Sequence, residues 1–216
     1  MNVNNFSSTE LSDAMDSIEL ECALLGILPL TKNARVFGPA FTVKYEACER
    51  NPGTTFRSAG EYIDLVPPAH VIVIDNMSRT DCTVWGDILT TFCGLKGIYG
   101  VVINGVIRDF ETVRKGNFPI FAKGISMRSG KNRVLKTAHQ TPVQIGKVIV
   151  HPGDFIFGDE NGVIAIPADK VDEIFLRAKN IKVTEEKILA AIKSNSSLKE
   201  ARENYKYDQP WLPINL

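Results

Sequence analysis

Arg108 and Asp109 stand side by side at the end of an apolar run, in GVVINGVIRDFETVRKGNFPIF, residues 100–121. A guanidinium offers a planar fork of donors to a keto or carboxylate oxygen, and a neighbouring carboxylate can hold a hard divalent cation. A second such place is Gly86-Asp87, which opens the segment DILTTFCGLK. At that helix start the amides of Asp87, Ile88 and Leu89 would have no intrahelical partner, so they could hold a carboxylate or phosphate. A third is Asp75-Asn76, closing the run HVIVID, and the Arg-Asp pair belongs to a polar end spanning Asn104 to Asp109. Ligands in α/β folds gather beyond the carboxyl ends of strands, so adjacent strands would bring these ends into one pocket. That pocket suits a small anionic substrate with a metal ion. The plainer alternative makes Arg108 and Asp109 a solvated ion pair at a helix start, with Asp109 as its N-cap.

Periodicity supplies the elements that would position these groups. Ser7 and Glu10 have the spacing of a capping box, opening a helix with Leu11, Ala14, Met15 and Ile18 on one face and an end near Gly26. ARVFGPAFTVKYEA, residues 34–47, reads as two strand pieces around a bend at Gly38-Pro39. HVIVID is a buried strand, and Ile88, Leu89, Phe92 and Leu95 then follow a helical period that stops at Gly97. IYGVVIN is a strand, DFETVRKG a short helix and FPIFAKG another strand. This order predicts a parallel or mixed sheet with helices on at least one face. Residues 142–167 read as three short antiparallel strands, with Asp154, Asp159 and Glu160 in turns. From Ala168 the sequence is helical and lysine-rich until the tail YKYDQPWLPINL.

The 216 residues, 44% of them hydrophobic, suffice for one well-packed domain spanning 1–216 with a C-terminal helical extension from about 168. Twenty-five basic residues balance twenty-five acidic ones, which argues against nucleic acid or an anionic membrane as partner. No run approaches the length of a membrane span, and no N-terminal segment has the pattern of a secretion signal. The four cysteines, Cys22, Cys48, Cys82 and Cys93, lack CxxC spacing and read as reduced thiols of a cytoplasmic protein. His70, His139 and His151 lie far from any matching ligand or nucleophile and read as structural or exposed.

The stretch WGDILTTFCGLKGIYGVVINGVIRDFETVRKGNFPIFAKG, together with PVQIGKVIVHPGDFIFGDENGVIAIP, LSDAMD and FGPAFTV, resembles the family containing 4-hydroxy-4-methyl-2-oxoglutarate aldolase and the regulator of ribonuclease activity A. The resemblance implies an α/β fold, a three-layer β/β/α swivelling domain with N- and C-terminal helices, assembled as a homotrimer or homohexamer with sites at subunit boundaries. It implies that Arg108 polarises the 2-keto oxygen of a small 2-oxo acid and that Asp109 ligates Mg²⁺ or Mn²⁺. The Gly86-Asp87 turn and the amides of Ile88 and Leu89 would hold the pyruvyl carboxylate, with Asp87 also a partner of metal-bound water. Lys96 and Lys123 are then ordinary surface residues, because no Schiff base is required.

Three places depart from the aldolase pattern. Gly53-Thr54-Thr55 stands where Gly-Asp-Asn is common, and Asn76-Met77-Ser78, followed by Arg79 and Asp81, stands where a triple glycine is common. Ser196 stands where a glutamate would reach a neighbouring subunit's metal waters, with Glu200 or Glu203 as substitutes. The resemblance implies two functions: a metal-dependent lyase acting on a 4-hydroxy-2-oxo acid or oxaloacetate, and, as the alternative, a non-catalytic regulator that binds a ribonuclease or RNA helicase. The fifty or so residues after Pro167 favour the lyase, since the regulators tend to stop near there. Methyl transfer to a quinone has no glycine-rich nucleotide loop behind it.

Overall fold

The computed structural model describes residues 3–49 and 60–213. In chain order the elements are α1 (Ser8–Asp16), β1 (Leu28–Pro29), β2 (Val36–Ala47), β3 (Val71–Thr83), α2 (Asp87–Lys96), β4 (Gly100–Ile107) and α3 (Phe110–Val113). There follow β5 (Ile120–Ile125), β6 (Val134–His139), β7 (Val143–Ile145), β8 (Val148–Val150), β9 (Phe155–Asp159), β10 (Gly162–Ile166), α4 (Val171–Lys193) and α5 (Leu198–Asn204). They form two compact units, Ala23–Ala168 and Met1–Cys22 with Asp169–Leu216.

The larger unit is a sheet ordered β1-β5-β4-β3-β2-β9-β10, with β6 pairing β2 and with β7 and β8 in a separate hairpin. β2, β3, β4 and β5 run parallel. A bridge between Ala23 and Ile164 brings the two sheet edges together, so the sheet is nearly closed. Every residue of β4 is buried, as expected for a parallel strand covered on both faces. Ile72, Ile74 and Ile103 enter one core beside Trp85 and Cys93. Val71, Val73 and Val102 alternate with them into a second core on the other face.

β2 is one strand rather than two pieces. Its first residues pair antiparallel with β9 up to Pro39, and from Ala40 it runs parallel to β3. The backbone stays extended through Pro39, and Ala40 still bonds the segment before β9, its amide donating to the Asp154 carbonyl at 2.7 Å. β3 also runs further than HVIVID suggests. Its register with β4 jumps from Asp75↔Asn104 to Arg79↔Gly105, and Met77 and Ser78 take left-handed backbones at φ 55° and 56° in the extra turn. The C-terminal part of this unit holds four short strands, not three, and β6 was not anticipated. Asp154 and Asp159 bond turn amides: Asp154 accepts from His151 and Ala168, and Asp159 from Asn161.

In the smaller unit, the Ser7–Glu10 capping box forms as expected. The first helix nevertheless ends at Asp16, well before Gly26, with the Ser17 hydroxyl closing back on the Ala14 carbonyl. Leu11, Ala14 and Met15 are buried, as are Ile174, Phe175, Ala178 and Ile181 of α4. Phe6 meets Phe175 edge to face at 5.1 Å, and the Trp211 carbonyl accepts the Asn180 amide side chain at 2.9 Å. No helix among the described residues is long and apolar enough to cross a membrane.

Candidate active site

α2 begins directly after Gly86, and its end is set by Gly97, which takes the left-handed conformation at φ 73° that glycine adopts without strain. Of the apolar residues on α2, only Cys93 is fully buried, while Ile88 and Leu95 are 75% and 86% exposed. The Asp87 amide donates to Asp109 Oδ2 at 3.3 Å, and the Ile88 amide to Asp87 Oδ1 at 2.7 Å. Two of the three amides expected to be unpaired therefore already face carboxylates. That is the contact a helix N-terminus makes with an anionic ligand.

Arg108 follows β4, its amide donating to the Trp85 carbonyl at 3.0 Å. Its Nε lies 3.3 Å from Asp109 Oδ2, and both side chains are about a third exposed, open to a ligand. Asp109 occupies the N-cap position of α3 with φ 56°, a left-handed backbone, and its side chain makes no capping bond. Its main-chain carbonyl accepts the Thr112 and Val113 amides at 3.0 Å each. The carboxylate is thus turned away from its own helix, toward Arg108 and the start of α2. A side chain at Gly86 would collide with that carboxylate and stand 3.3 Å from Arg108 Cγ and Nε. Glycine is required there for room rather than for backbone freedom, because its φ of −160° is ordinary extended chain.

Arg108 and the start of α2 line a cavity of about 180 Å³, and Asp109 stands behind that wall, against Arg108 and the Asp87 amide. Trp85, Gly86, Asp87 and Arg108 form one part of its wall, and Ser129 and Lys131 another. Sequence reasoning missed the last two. The turn carrying them is pinned by the Gly130 amide to the Thr83 carbonyl at 2.8 Å, in a place where any side chain on residue 130 would strike that carbonyl. The signal available was a basic, glycine-containing turn, RSGK, but nothing local says that it reaches the end of β3.

Asp75 and Asn104 do not join this pocket. Both lie inside strands, and alternation places them on the face opposite Ile74 and Ile103. Asn104 Nδ2 donates to Asp75 Oδ1 at 2.8 Å, Ser78 Oγ to Asn104 Oδ1 at 2.8 Å, and Lys123 Nζ to Ser78 Oγ at 3.0 Å. Lys123 is therefore the head of a polar chain rather than a plain surface residue, and Lys96 likewise donates to the Ile63 and Asp64 carbonyls. Arg79 and Asp81 bind each other through two 2.8 Å contacts. In the smaller unit, Glu200 caps its own helix by accepting from Ser197, which holds its carboxyl below the usual range. Glu203 is exposed, 3.9 Å from Lys199. Gly53-Thr54-Thr55 lies outside the described residues.

No group of three or more His, Cys, Asp or Glu side chains that could hold a metal occurs among the described residues. Asp109 can supply one carboxylate. That donor set fits Mg²⁺ or Mn²⁺ better than a thiol- or imidazole-seeking ion, since Mg²⁺ commonly takes one or two carboxylates and keeps several waters.

With this fold and site, the chain belongs to the RraA-like family, described as Aldolase/RraA, whose pattern matches residues 8–165. It is 48% identical over 211 residues to Protein DlpA of Legionella pneumophila, covering 98% of this chain and 34% of that protein. The chain thus spans about a third of DlpA's length. It is 32% identical over 190 residues to a protein of Halalkalibacterium halodurans provisionally named a 4-hydroxy-4-methyl-2-oxoglutarate aldolase, covering 87% of this chain and 85% of that one. An uncharacterized protein from Pseudomonas syringae superposes with a TM-score of 0.83 at 40% identity, over 92% of this chain and 94% of that one. Streptomyces coelicolor RraAS2, an unusual member of the RNase ES inhibitor RraA family, superposes with a TM-score of 0.76 at 27% identity, over 88% and 95%. The family thus includes both proteins named as aldolases and ribonuclease inhibitors.

Proposed function

We propose that the cavity beside Arg108 and Asp109 is the active site of a lyase that releases pyruvate from oxaloacetate or a 4-hydroxy-2-oxo acid. The observation that carries this reading is the Asp109 carboxylate, held off its own helix and aimed at Arg108 and the Asp87 amide. The substrate's carboxylate would take over the amides at the start of α2, and Arg108 would meet the 2-keto oxygen. Cleavage of the C3–C4 bond sends its electron pair onto that oxygen, and the C4 fragment leaves as CO₂ or, as its hydroxyl gives its proton to water, as a carbonyl compound. Arg108 stabilises the negative oxygen of the resulting enolate, and protonation at C3 then gives pyruvate. Asp109 would hold Mg²⁺ or Mn²⁺, with Asp87 as a further carboxylate nearby, and the ion would supply Lewis-acid stabilisation of the same oxygen. Each preorganised donor at a developing oxyanion is worth on the order of 3 kcal/mol. Lys131 and Ser129 line the same cavity and would meet the far end of a substrate with a second carboxylate.

The exposed Ile88 and Leu95 support a homo-oligomer, trimer or hexamer, in which a neighbour covers α2. If a glutamate of that neighbour completes the site, Glu203 is the freer choice, because Glu200 is spent on its helix cap. The likeness to RraAS2 favours a second reading, a regulator of a ribonuclease, which needs no turnover at this cavity. The two separate on pyruvate release from oxaloacetate by the purified chain, with Mg²⁺ and with EDTA, each corrected for the protein-free rate. Mg²⁺-dependent release supports the lyase, and its absence with both oxaloacetate and 4-hydroxy-4-methyl-2-oxoglutarate leaves the regulator.

A further inference from the structure

The first turn of α2 is held by a hydrogen-bonded chain separate from the Arg108–Asp109 pair. Trp85 Nε1 donates to Thr90 Oγ1 at 2.9 Å, and that hydroxyl gives its single proton to the Gly86 carbonyl at 2.9 Å. The same carbonyl accepts the Thr90 amide at 3.1 Å. Trp85 is 2% exposed and stacked on Phe118, with ring centroids 6.4 Å apart and planes 11° from parallel, so its N–H has a fixed direction.

A helix start is ordinarily fixed by an N-cap side chain. Position 86 cannot carry one, because the space is occupied by Asp109 and Arg108. The carbonyl of Gly86 and the N–H of Asp87 belong to one planar trans peptide, on which they point in opposite directions. Whatever holds the oxygen therefore aims the N–H, and the N–H held here is the one 3.3 Å from Asp109 Oδ2.

We propose that Thr90, with Trp85 behind it, is a positioning residue: by holding the Gly86 carbonyl it sets the rotation of the Gly86–Asp87 peptide and aims the Asp87 amide into the site. The inference rests on the lyase reading for its effect on substrate, but its structural part is tested without turnover.

The test compares Thr90→Val, which keeps the branched shape and loses the hydroxyl, with Thr90→Ser, which keeps the hydroxyl. Trp85→Phe keeps the ring stack and loses the indole donor. Amide hydrogen exchange is read at Asp87, with Ile103 in buried β4 as the reference for global opening. In Thr90→Val, Asp87 exchange should rise roughly fivefold to tenfold, the worth of one hydrogen bond, with Ile103 unchanged. Thr90→Ser should restore it, and Trp85→Phe should give a smaller rise in the same direction. The KM for oxaloacetate should rise by a similar factor in Thr90→Val and return in Thr90→Ser. Unchanged Asp87 exchange in Thr90→Val overturns the proposal, as does a rise matched at Ile103. A wild-type protein that releases no pyruvate would overturn the lyase reading, while the exchange result would still decide the role of Thr90.

Discussion

Asp109 Oδ2 lies 3.3 Å from the amide nitrogen of Asp87, joining residues twenty-two positions apart at the starts of two different helices. Asp109 reaches this place with a left-handed backbone, which costs a non-glycine residue on the order of 1 kcal/mol or more. The cost brings no cap to α3, since the side chain makes no capping bond there. What the conformation achieves is a carboxylate shared between a guanidinium and a helix N-terminus.

Gly86→Ala is expected to disable this arrangement without a backbone penalty. Alanine accepts a φ of −160°, so the effect arises from crowding of Asp109 and Arg108 by the new methyl group. Displacing reacting groups by about 1 Å costs on the order of a hundredfold in rate. Steady-state kinetics should show that loss while the melting temperature drops by only a few degrees. Wild-type kinetics in Gly86→Ala would mean the crowded groups do no chemistry.

Metal binding should separate the two charged neighbours. Titration calorimetry with Mg²⁺ should give a clearly weaker or absent signal for Asp109→Ala, which removes the one carboxylate assigned to the ion. Arg108→Lys should bind Mg²⁺ nearly as the wild type does, since it keeps the charge and leaves Asp109 in place. Equal binding by the wild type and Asp109→Ala would remove Asp109 from the metal site.

Stability should fall on the alkaline side. Burial pushes the Cys22 thiol up to about 11 and the Cys93 thiol up to about 12, and it raises Tyr45 and Tyr62 as well. In the unfolded chain these thiols ionise near 9, so above that pH the unfolded state binds fewer protons than the native state. Stability then declines as pH rises, by up to about 1.4 kcal/mol per pH unit for each thiol between its unfolded and native values. Below pH 8 these groups contribute no slope. Urea unfolding at pH 7.5 and 10.5 reads the difference, and Cys93→Ala should show a shallower decline. An equal decline in that variant would assign the slope to other groups.

Much of the frame was legible because its signals are local. Ser7 and Glu10 sit at capping distance in sequence, and Gly97 marks a helix end that only a left-handed residue closes so well. The apolar run HVIVID indicated a buried strand, and Val71 to Ile74 are buried at the start of β3. β6 escaped notice because VLKTAH buries only Val134 fully, so its alternation is weak. At the site, Gly86, Asp87, Arg108 and Asp109 come together as their strand-end positions suggested. Asp75 and Asn104 do not, because β3 and β4 continue past them and alternation turns both side chains to the other face. Lys131 and Thr90 were out of reach for a different reason. The turn carrying Lys131 is pinned through the Gly130–Thr83 bond, and Thr90 meets the Trp85 indole, contacts that hydrophobic periodicity does not encode.

The central claim is that Arg108 and Asp109 do chemistry together, and pyruvate release from oxaloacetate at saturating Mg²⁺ measures it most directly. After subtraction of the protein-free rate, the wild type should turn over. Asp109→Ala should fall to background, and Arg108→Lys, which keeps charge but loses the planar fork, should fall about a hundredfold. Near wild-type rates in both variants would contradict the account and leave the pair as a solvated contact at the start of α3.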